Sequence, residues 1–188
     1  KHFLFAADGQ SSVILTPWKD SPPTMRPEEA HALETRYRFL HPGEEFYYPG
    51  AMVQERTESV LGTPVKRVFS LRGNLPTGER LEIVEDAAKA DGQFGDPGNP
   101  REVNRYYPER EADSASDRIA SVIRPDGTTS TYQYESGNYE AEGGIPAQFE
   151  PVFGGPFLRV TELTVPTALP NGLAGRTLRT SAVFARNE

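Results

Sequence analysis

The chain contains no cysteine, one tryptophan and two methionines among its 188 residues. The absence of cysteine excludes disulfides, thiol catalysis and cysteine-ligated metals, but it does not exclude secretion. No apolar run in the sequence approaches the roughly 20 residues that a membrane-spanning helix needs. The first class of protein to set aside is therefore the disulfide-stapled or zinc-finger domain.

Hydrophobic residues are scarce and basic residues are outnumbered. Only 36% of the chain is hydrophobic, 17 residues are glycine and 17 are proline, and the net charge is −7. Proline at this level exceeds average usage, which favours turns over long helices. An acidic chain lacks the basic footprint of a nucleic-acid-binding protein and is poorly suited to anionic membrane surfaces. We therefore expect neither nucleic acid nor membrane insertion.

The segment 118–135 has the pattern of a complete β-hairpin. An alternating run at 119–123 and a Thr- and Tyr-rich run at 128–135 flank Pro125-Asp126-Gly127. Thr and Tyr fit a pleated surface. Proline presets φ for a turn, aspartate suits the next position, and glycine tolerates a positive φ after it. The sequence therefore predicts two strands joined by a tight turn.

Other segments repeat this organisation less clearly. Hairpins are predicted around Asp8-Gly9, around 73–78 and around 170–172; single strands are predicted at 33–39, 45–48, 52–58 and 103–107, and one short helical turn at 27–32. Two stretches rich in Gly, Pro and acidic residues, 86–117 and 137–156, are expected to be mobile loops, apart from the strand predicted at 103–107. The sequence thus predicts an all-β fold of stacked antiparallel hairpins with at most one short helix.

A weak internal sequence similarity supports an array of repeated hairpins. Phe46-Tyr-Tyr-Pro49 is similar to Arg105-Tyr-Tyr-Pro108, and an apolar hairpin follows each of them. A lone hairpin is marginal in water, so such units must pair edge to edge. The pattern favours stacking of the units into one long sheet, as in repeat proteins.

The 118–135 hairpin resembles the bacterial RHS/YD repeat, which ends in Pro-Asp-Gly followed by Tyr-x-Tyr-Asp. The residues that match are Arg118, Ile119, Val122, Pro125, Asp126, Gly127, Tyr132 and Tyr134. Glu135 replaces the usual final aspartate, and Asp117 stands where glycine is common. The close match covers about a tenth of the chain, and the other hairpins are more diverged.

This resemblance implies that residues 1–188 form one RHS-like region of a longer polypeptide, built into an extended, curved sheet. Such shells enclose or display a toxin or other cargo, and are secreted or attached to the bacterial surface. The resemblance thus implies a non-enzymatic role without cofactor, metal or catalytic residue, with neighbouring repeats and cargo as partners. Some members cleave themselves at an aspartyl site, but Asp96-Pro97-Gly98-Asn99 precedes the repeat and is no counterpart.

Enzymatic chemistry has little local support in the sequence. His2, His31 and His41 lie in no metal-binding pattern, and no nucleophile elbow or phosphate-binding loop occurs. The residues Glu44, Glu45, Glu109 and Glu111 are candidates for the carboxylate pair of a glycoside hydrolase. Acidic loop residues are the simpler interpretation of all four.

Two binding alternatives remain open. Asp91, Asp96 and Asn99 offer oxygen ligands for calcium from a Gly-rich loop, but their spacing fits no EF-hand. A carbohydrate- or protein-binding β-sandwich at the cell surface would use aromatic platforms, for which the candidates are Trp18, Tyr47, Tyr48, Tyr106, Tyr107, Tyr132, Tyr134 and Tyr139. Cross-strand packing of these rings is the simpler interpretation. An array of repeats further predicts exposed sheet edges at both ends.

Overall fold

The computed structural model describes residues 2–5, 11–16, 30–110, 114–140, 147–166 and 176–186. Within these ranges it contains twelve β-strands and no helix. The strands are β1 (His2–Phe5), β2 (Ser11–Thr16), β3 (His31–Phe39), β4 (Met52–Val60), β5 (Thr63–Asn74), β6 (Arg80–Asp86), β7 (Arg101–Tyr106), β8 (Ile119–Ile123), β9 (Thr129–Glu140), β10 (Gln148–Pro151), β11 (Phe157–Val165) and β12 (Leu178–Ala185).

The strands pair in chain order. From β1 to β9 each strand neighbours the next, β11 and β12 continue the order from β9, and the short β10 pairs with β9 beside this path. Pairs such as β3–β4, β8–β9 and β11–β12 are antiparallel. The predicted all-β class of stacked antiparallel hairpins is confirmed.

Contacts divide the chain into two compact units. The first unit comprises residues 1–73 and 82–102, and the second comprises residues 74–81 and 103–188. The core of the first unit holds Val53, Phe69, Leu71 and Ile83, each no more than 2% exposed. In the second unit the buried apolar side chains are Leu81, Val103, Val122 and Leu158. Each unit thus has its own small set of buried strand residues.

The Pro125-Asp126-Gly127 turn forms as predicted. Gly127 has φ of 80°, the left-handed region that favours glycine. The N–H of Arg124 donates to the carbonyl of Thr128 at 2.9 Å, which closes the hairpin between β8 and β9. The Asp126 carboxylate accepts from the N–H of Thr128 at 2.8 Å, so each turn residue has a specific part in its geometry.

Three local predictions are wrong. The aromatic run at 45–48 is not a strand but a series of turns, with Phe46 at a φ of 64°. The N–H of Ala51 donates to the carbonyl of Tyr48, so backbone hydrogen bonds are satisfied inside the turns. The helical turn predicted at 27–32 fails at its end, because His31 and Ala32 begin β3; residues 27–29 lie outside the described residues.

The third wrong prediction concerns the face of β3. The alternation predicts that Leu33, Thr35, Tyr37 and Phe39 share a half-buried face. Leu33 and Thr35 are half-buried as predicted, but Tyr37 is 38% and Phe39 55% exposed. The buried residue is Ala32, on the opposite face near the start of the strand. Tyr37 instead accepts a hydrogen bond from Gln54 on β4 at 2.9 Å. The Tyr37 hydroxyl is therefore hydrogen-bonded to a neighbouring strand, and the Tyr37 ring is not part of a core.

The two predicted loops contain strands. β7 lies within 86–117, as the strand predicted at 103–107 requires, and the end of β9 and all of β10 lie within 137–156. The turns predicted around Asp8-Gly9 and at 170–172 fall outside the described residues, although the strands on either side of them are present. No helix in the described part of the chain has the length and apolar character to cross a membrane.

Candidate functional site

Strand β6 places a carboxylate where the alternation calls for an apolar side chain. Leu81, Ile83 and Glu85 are all buried, whereas Val84 between them is 50% exposed. The period of two therefore directs Glu85 inward, and its side chain has no exposed surface. A buried carboxylate is costly unless it is paired and hydrogen-bonded, so its partners define the most specific polar site of the first unit.

Glu85 is fully served by partners from the segment that follows β6. Its Oε1 accepts from the N–H of Gly95 at 2.8 Å and from Nδ2 of Asn99 at 2.6 Å. Its Oε2 accepts from Nε of Arg101 at 2.6 Å. Arg101 also donates to Glu45 at 2.7 Å. We call Glu85, Gly95, Asn99, Arg101 and Glu45 the Glu85 cluster.

The arginine of the Glu85 cluster stays charged. Burial lowers the pKa of Arg101, but its hydrogen bonds to Glu45 and Glu85 outweigh burial and raise that pKa above the ordinary value. The guanidinium also lies 5.2 Å from the centre of the Phe46 ring, within the range of a cation–π contact. Arg101 thus joins the 41–50 turns to the loop after β6.

The same loop has a second attachment. The Phe94 ring packs edge-on against the buried Phe69 of β5, with ring centres 6.0 Å apart. Arg67 donates to the carbonyl of Gly92 at 3.0 Å and pairs with Glu55 at 3.2 Å. The 87–100 loop therefore has polar and aromatic contacts on the β5–β6 face, and its expected mobility stays a prediction.

The residues of the calcium hypothesis line a cavity of about 370 Å³ in this loop, and side-chain oxygens of Asp96 and Asn99 already accept hydrogen bonds. The lining consists of Ala88, Lys89, Asp91, Gly92, Asp96, Gly98 and Asn99. Asp96 accepts from the N–H of Gln93, and Asn99 Oδ1 accepts from the N–H of Ala88. No cluster of three His, Cys, Asp or Glu in the described residues has metal-site geometry. These hydrogen bonds favour a role for Asp96 and Asn99 in holding the loop together.

Within the first unit, the structure places the two described histidines at opposite ends of β3. His31 starts β3 and contacts Glu58 at 2.7 Å, whereas His41 lies beyond the far end of that strand. Glu44 accepts a hydrogen bond from the N–H of His41. This bond is the main reason why the pKa of Glu44 is lowered. Glu45 belongs to the Glu85 cluster, and Glu109 is in the second unit. The His2 side chain and Glu111 lie outside the described residues.

The tyrosines of the repeat-like hairpin hold backbone groups of the second unit. Tyr134 on β9 donates to the carbonyl of Ile119 on β8 at 2.9 Å, and Tyr107 donates to the carbonyl of Tyr132 at 2.8 Å. The Tyr107 and Tyr134 rings meet edge-on at 6.1 Å, and Arg118 lies 5.6 Å from the Tyr134 ring centre. Burial raises the pKa of Tyr134. These motif side chains therefore fasten the hairpin to its flanking segment.

Most of the other aromatic candidates are also engaged in packing. Arg80 lies 3.9 Å from the Tyr106 ring centre. Tyr48 lies against Gly73, where a side-chain carbon would come within 2.8 Å of Tyr48 Cζ. Tyr139 meets Phe157 edge-on at 6.0 Å. Tyr47 and Tyr139 keep 38% and 39% of their surface exposed, and Trp18 lies outside the described residues.

A second polar network crosses β9 and β11. Glu162 accepts from Tyr132 at 3.1 Å and from Thr164 at 3.0 Å. Ser130, which has no exposed surface, lies 2.9 Å from the Thr164 hydroxyl and accepts from Arg124 at 2.8 Å. The hydrogen bond from Ser130, followed by those from Thr164 and Tyr132, lowers the pKa of Glu162 despite partial burial.

The lowered pKa of Glu162 predicts a pH-dependent stability. An acid whose pKa falls on folding stabilises the protein at a pH above the pKa that it has in the unfolded chain, here 4.5. This contribution is lost as the pH falls through the lower pKa of the folded state. We expect Glu162→Gln to be less stable than the wild type near neutral pH and to approach it at an acid pH below 4.5. Urea unfolding at both pH values measures the difference.

The control for this prediction is Glu140→Gln, which removes an equal charge from an exposed position at the end of β9. Its stability difference from the wild type should change less between the two pH values than that of the Glu162 variant. A Glu162→Gln deficit of the same size at both pH values would contradict the role assigned to the Glu162 carboxylate.

Comparison with known proteins finds no match among family models, curated proteins or solved structures. The assignment of a function therefore depends on the residues and contacts described above.

The sequence patterns described above do not single out Glu85, Arg101 or Glu162. A signal for Glu85 was present, because Leu81 and Ile83 set a period of two that puts residue 85 on the inward face. A charged residue in an inward position requires a partner, and an arginine at the start of the next strand was available. The network around Glu162 gives no such signal, since threonine, serine and tyrosine in strands are ordinary.

Proposed function

We propose that the chain is a structural β-repeat segment of a secreted or surface-attached RHS-like bacterial protein. It forms part of a shell that encloses or displays a toxin or other cargo domain, and it has no catalytic activity of its own. Its partners are the neighbouring repeats and the cargo of the parent polypeptide.

The observation that carries this proposal is the use of the repeat-like residues in the hairpin. Asp126 and Gly127 set the turn, while Arg118 and Tyr134 pack together at the opposite end of the hairpin. Tyr134 also ties β9 to β8 through the carbonyl of Ile119. A residue pattern that serves only strand pairing is what a wall-building repeat requires.

The sequential antiparallel order of the strands gives further support. Hairpins that each pair with the next build a sheet by simple addition, which is how a repeat array grows. The tyrosine contacts favour a packing role over the sugar-stacking platform of the alternative binding module, because Tyr106, Tyr107 and Tyr134 are covered by ring or cation contacts.

The parent gene and its full-length product test the proposal. We expect further Pro-Asp-Gly…Tyr-x-Tyr units beside this segment, and a hollow particle by electron microscopy that protects a cargo domain from protease. Tyr134→Phe removes the hydrogen bond to Ile119 and should speed cleavage of the cargo, whereas Tyr139→Phe, whose ring is 39% exposed, should not. A product with no such units, or with a cargo that is cleaved equally fast in all three proteins, would refute the shell.

A further inference from the structure

The sheet of the first unit has one face on which the chain's own loops pack. Phe69 and Gly73 of β5 are four residues apart and therefore point to the same face. Phe94, in the loop after β6, packs edge-on against Phe69 with ring centres 6.0 Å apart. Tyr48, in the turns before β4, lies against Gly73. We call this side of the sheet the covered face.

The opposite side of the sheet, which we call the open face, presents large apolar side chains to solvent. Four of them alternate with covered-face residues along β3, β4 and β6 and are between 38% and 55% exposed: Tyr37, Phe39, Met52 and Val84. Phe39 is directly opposite Met52 in the β3–β4 register, and Tyr37 is two residues from Phe39 on the same strand. Tyr37, Phe39 and Met52 therefore form one continuous patch.

Polar side chains of the open face are engaged with one another beside this patch. Nε2 of Gln54 donates to the Tyr37 hydroxyl at 2.9 Å, and the Ser70 hydroxyl donates to Oε1 of Gln54 at 3.2 Å. Arg72, two residues along β5 from Ser70, pairs with Glu82 at 2.6 Å. The rings and the thioether of the patch are thus what remains for a partner, and they favour apolar segments over strongly charged ones.

The pattern of β3 itself indicates that the open face is covered in the assembled protein. Alternate residues from Leu33 to Phe39 have the spacing of a strand with one half-buried face. Leu33 and Thr35 are half-buried as this pattern requires, whereas Tyr37 and Phe39 are exposed. A contiguous exposed apolar patch marks an interaction site. The part of the pattern that is not buried within the described residues therefore points to a partner.

We propose that the open face of the first unit is the inner surface of the shell and contacts the cargo through Tyr37, Phe39 and Met52. This inference rests on the proposed function, because a wall around a cargo turns one face toward it and loops already occupy the covered face. The partner that fits is an apolar, locally uncharged segment of the cargo polypeptide. Phenylalanine and tyrosine offer it a large contact area, and methionine adapts to irregular apolar surfaces.

Photo-cross-linking in the full-length parent product tests this contact. A benzophenone amino acid replaces Phe39 or Met52 on the open face. In the control it replaces Arg36, which is on the covered side of β3 and has a side chain that is 61% exposed. Because successive strand residues point to opposite faces, we expect roughly tenfold more cross-linked cargo from positions 39 and 52 than from position 36. The cargo peptides that are captured should be apolar, and capture of mainly charged peptides would contradict the partner chemistry.

Protease protection of the cargo, measured on the same three variants, separates this inference from the proposed function. If the cargo stays protected while position 36 captures it as well as positions 39 and 52 do, the open face is not the inner surface, although the shell stands. The same conclusion follows if the cargo stays protected and positions 39 and 52 capture only residues of the wall or nothing. A cargo that is cleaved as fast as the isolated cargo domain would refute the shell and, with it, the contact.

Discussion

Glu85→Ala is expected to destabilise the protein more than any other single charge deletion in the first unit. The change leaves the guanidinium of Arg101, which is only 18% exposed, without its buried partner, and leaves the Gly95 N–H and the Asn99 amide without their acceptor. Removing one member of a buried ion pair costs about 3–5 kcal/mol. For a chain of this length the thermal midpoint should fall on the order of 10 °C, which differential scanning calorimetry measures.

Two control variants separate burial from charge. Glu45→Ala removes the other carboxylate on the same arginine, but Glu45 is 58% exposed, so its loss should cost less than about 1 kcal/mol. Glu85→Gln keeps the acceptor for Gly95 and Asn99 and should fall between the two. Hydrogen exchange should rise across 87–100 in Glu85→Ala and not in Glu45→Ala. Equal effects at both positions would refute the buried role of Glu85.

The elements that sequence could predict are those fixed by neighbouring residues. The Pro125-Asp126-Gly127 turn follows from backbone preferences of three adjacent residues, and β8, β9, β11 and most of the other strands follow from alternation. The aromatic run at 45–48 has the strand propensity of Phe and Tyr, but a turn formed there because Glu44 accepts from the His41 N–H and Arg101 covers Phe46. Propensity is a weak guide where such side-chain contacts decide.

The Glu85 cluster shows the same limit within one site. Alternation along β6 predicts that residue 85 faces inward, whereas its partners come from positions up to 16 residues away and from Glu45 through Arg101. A single sequence contains no measure of which arginine reaches which carboxylate. The inward charge was therefore predictable, and the attachment of the 87–100 loop to it was not.

Gly155→Ala is the second substitution for which we expect a large effect. Gly155 is buried just before β11, and a side-chain carbon there would lie only 2.7 Å from the Cα of Gly137 on β9. The obstacle is backbone, so no side-chain rotation relieves it. Overpacking of this kind costs about 3 kcal/mol, and the start of β11 would have to move away from β9. The thermal midpoint should fall by roughly 6–12 °C.

The large cost expected for Gly155→Ala comes from the position of the clash and not from the loss of a glycine as such. Gly98→Ala is the matched control, because its nearest neighbour is Ala88 Cβ at 4.0 Å, and it should change stability by no more than about 0.5 kcal/mol. Gly154→Ala tests backbone strain alone: this residue has φ of 72° with open space around it, so a cost of about 1–2 kcal/mol is expected. If Gly155→Ala is no more costly than Gly154→Ala, β9 and β11 do not approach each other at Gly137 as closely as the structure places them.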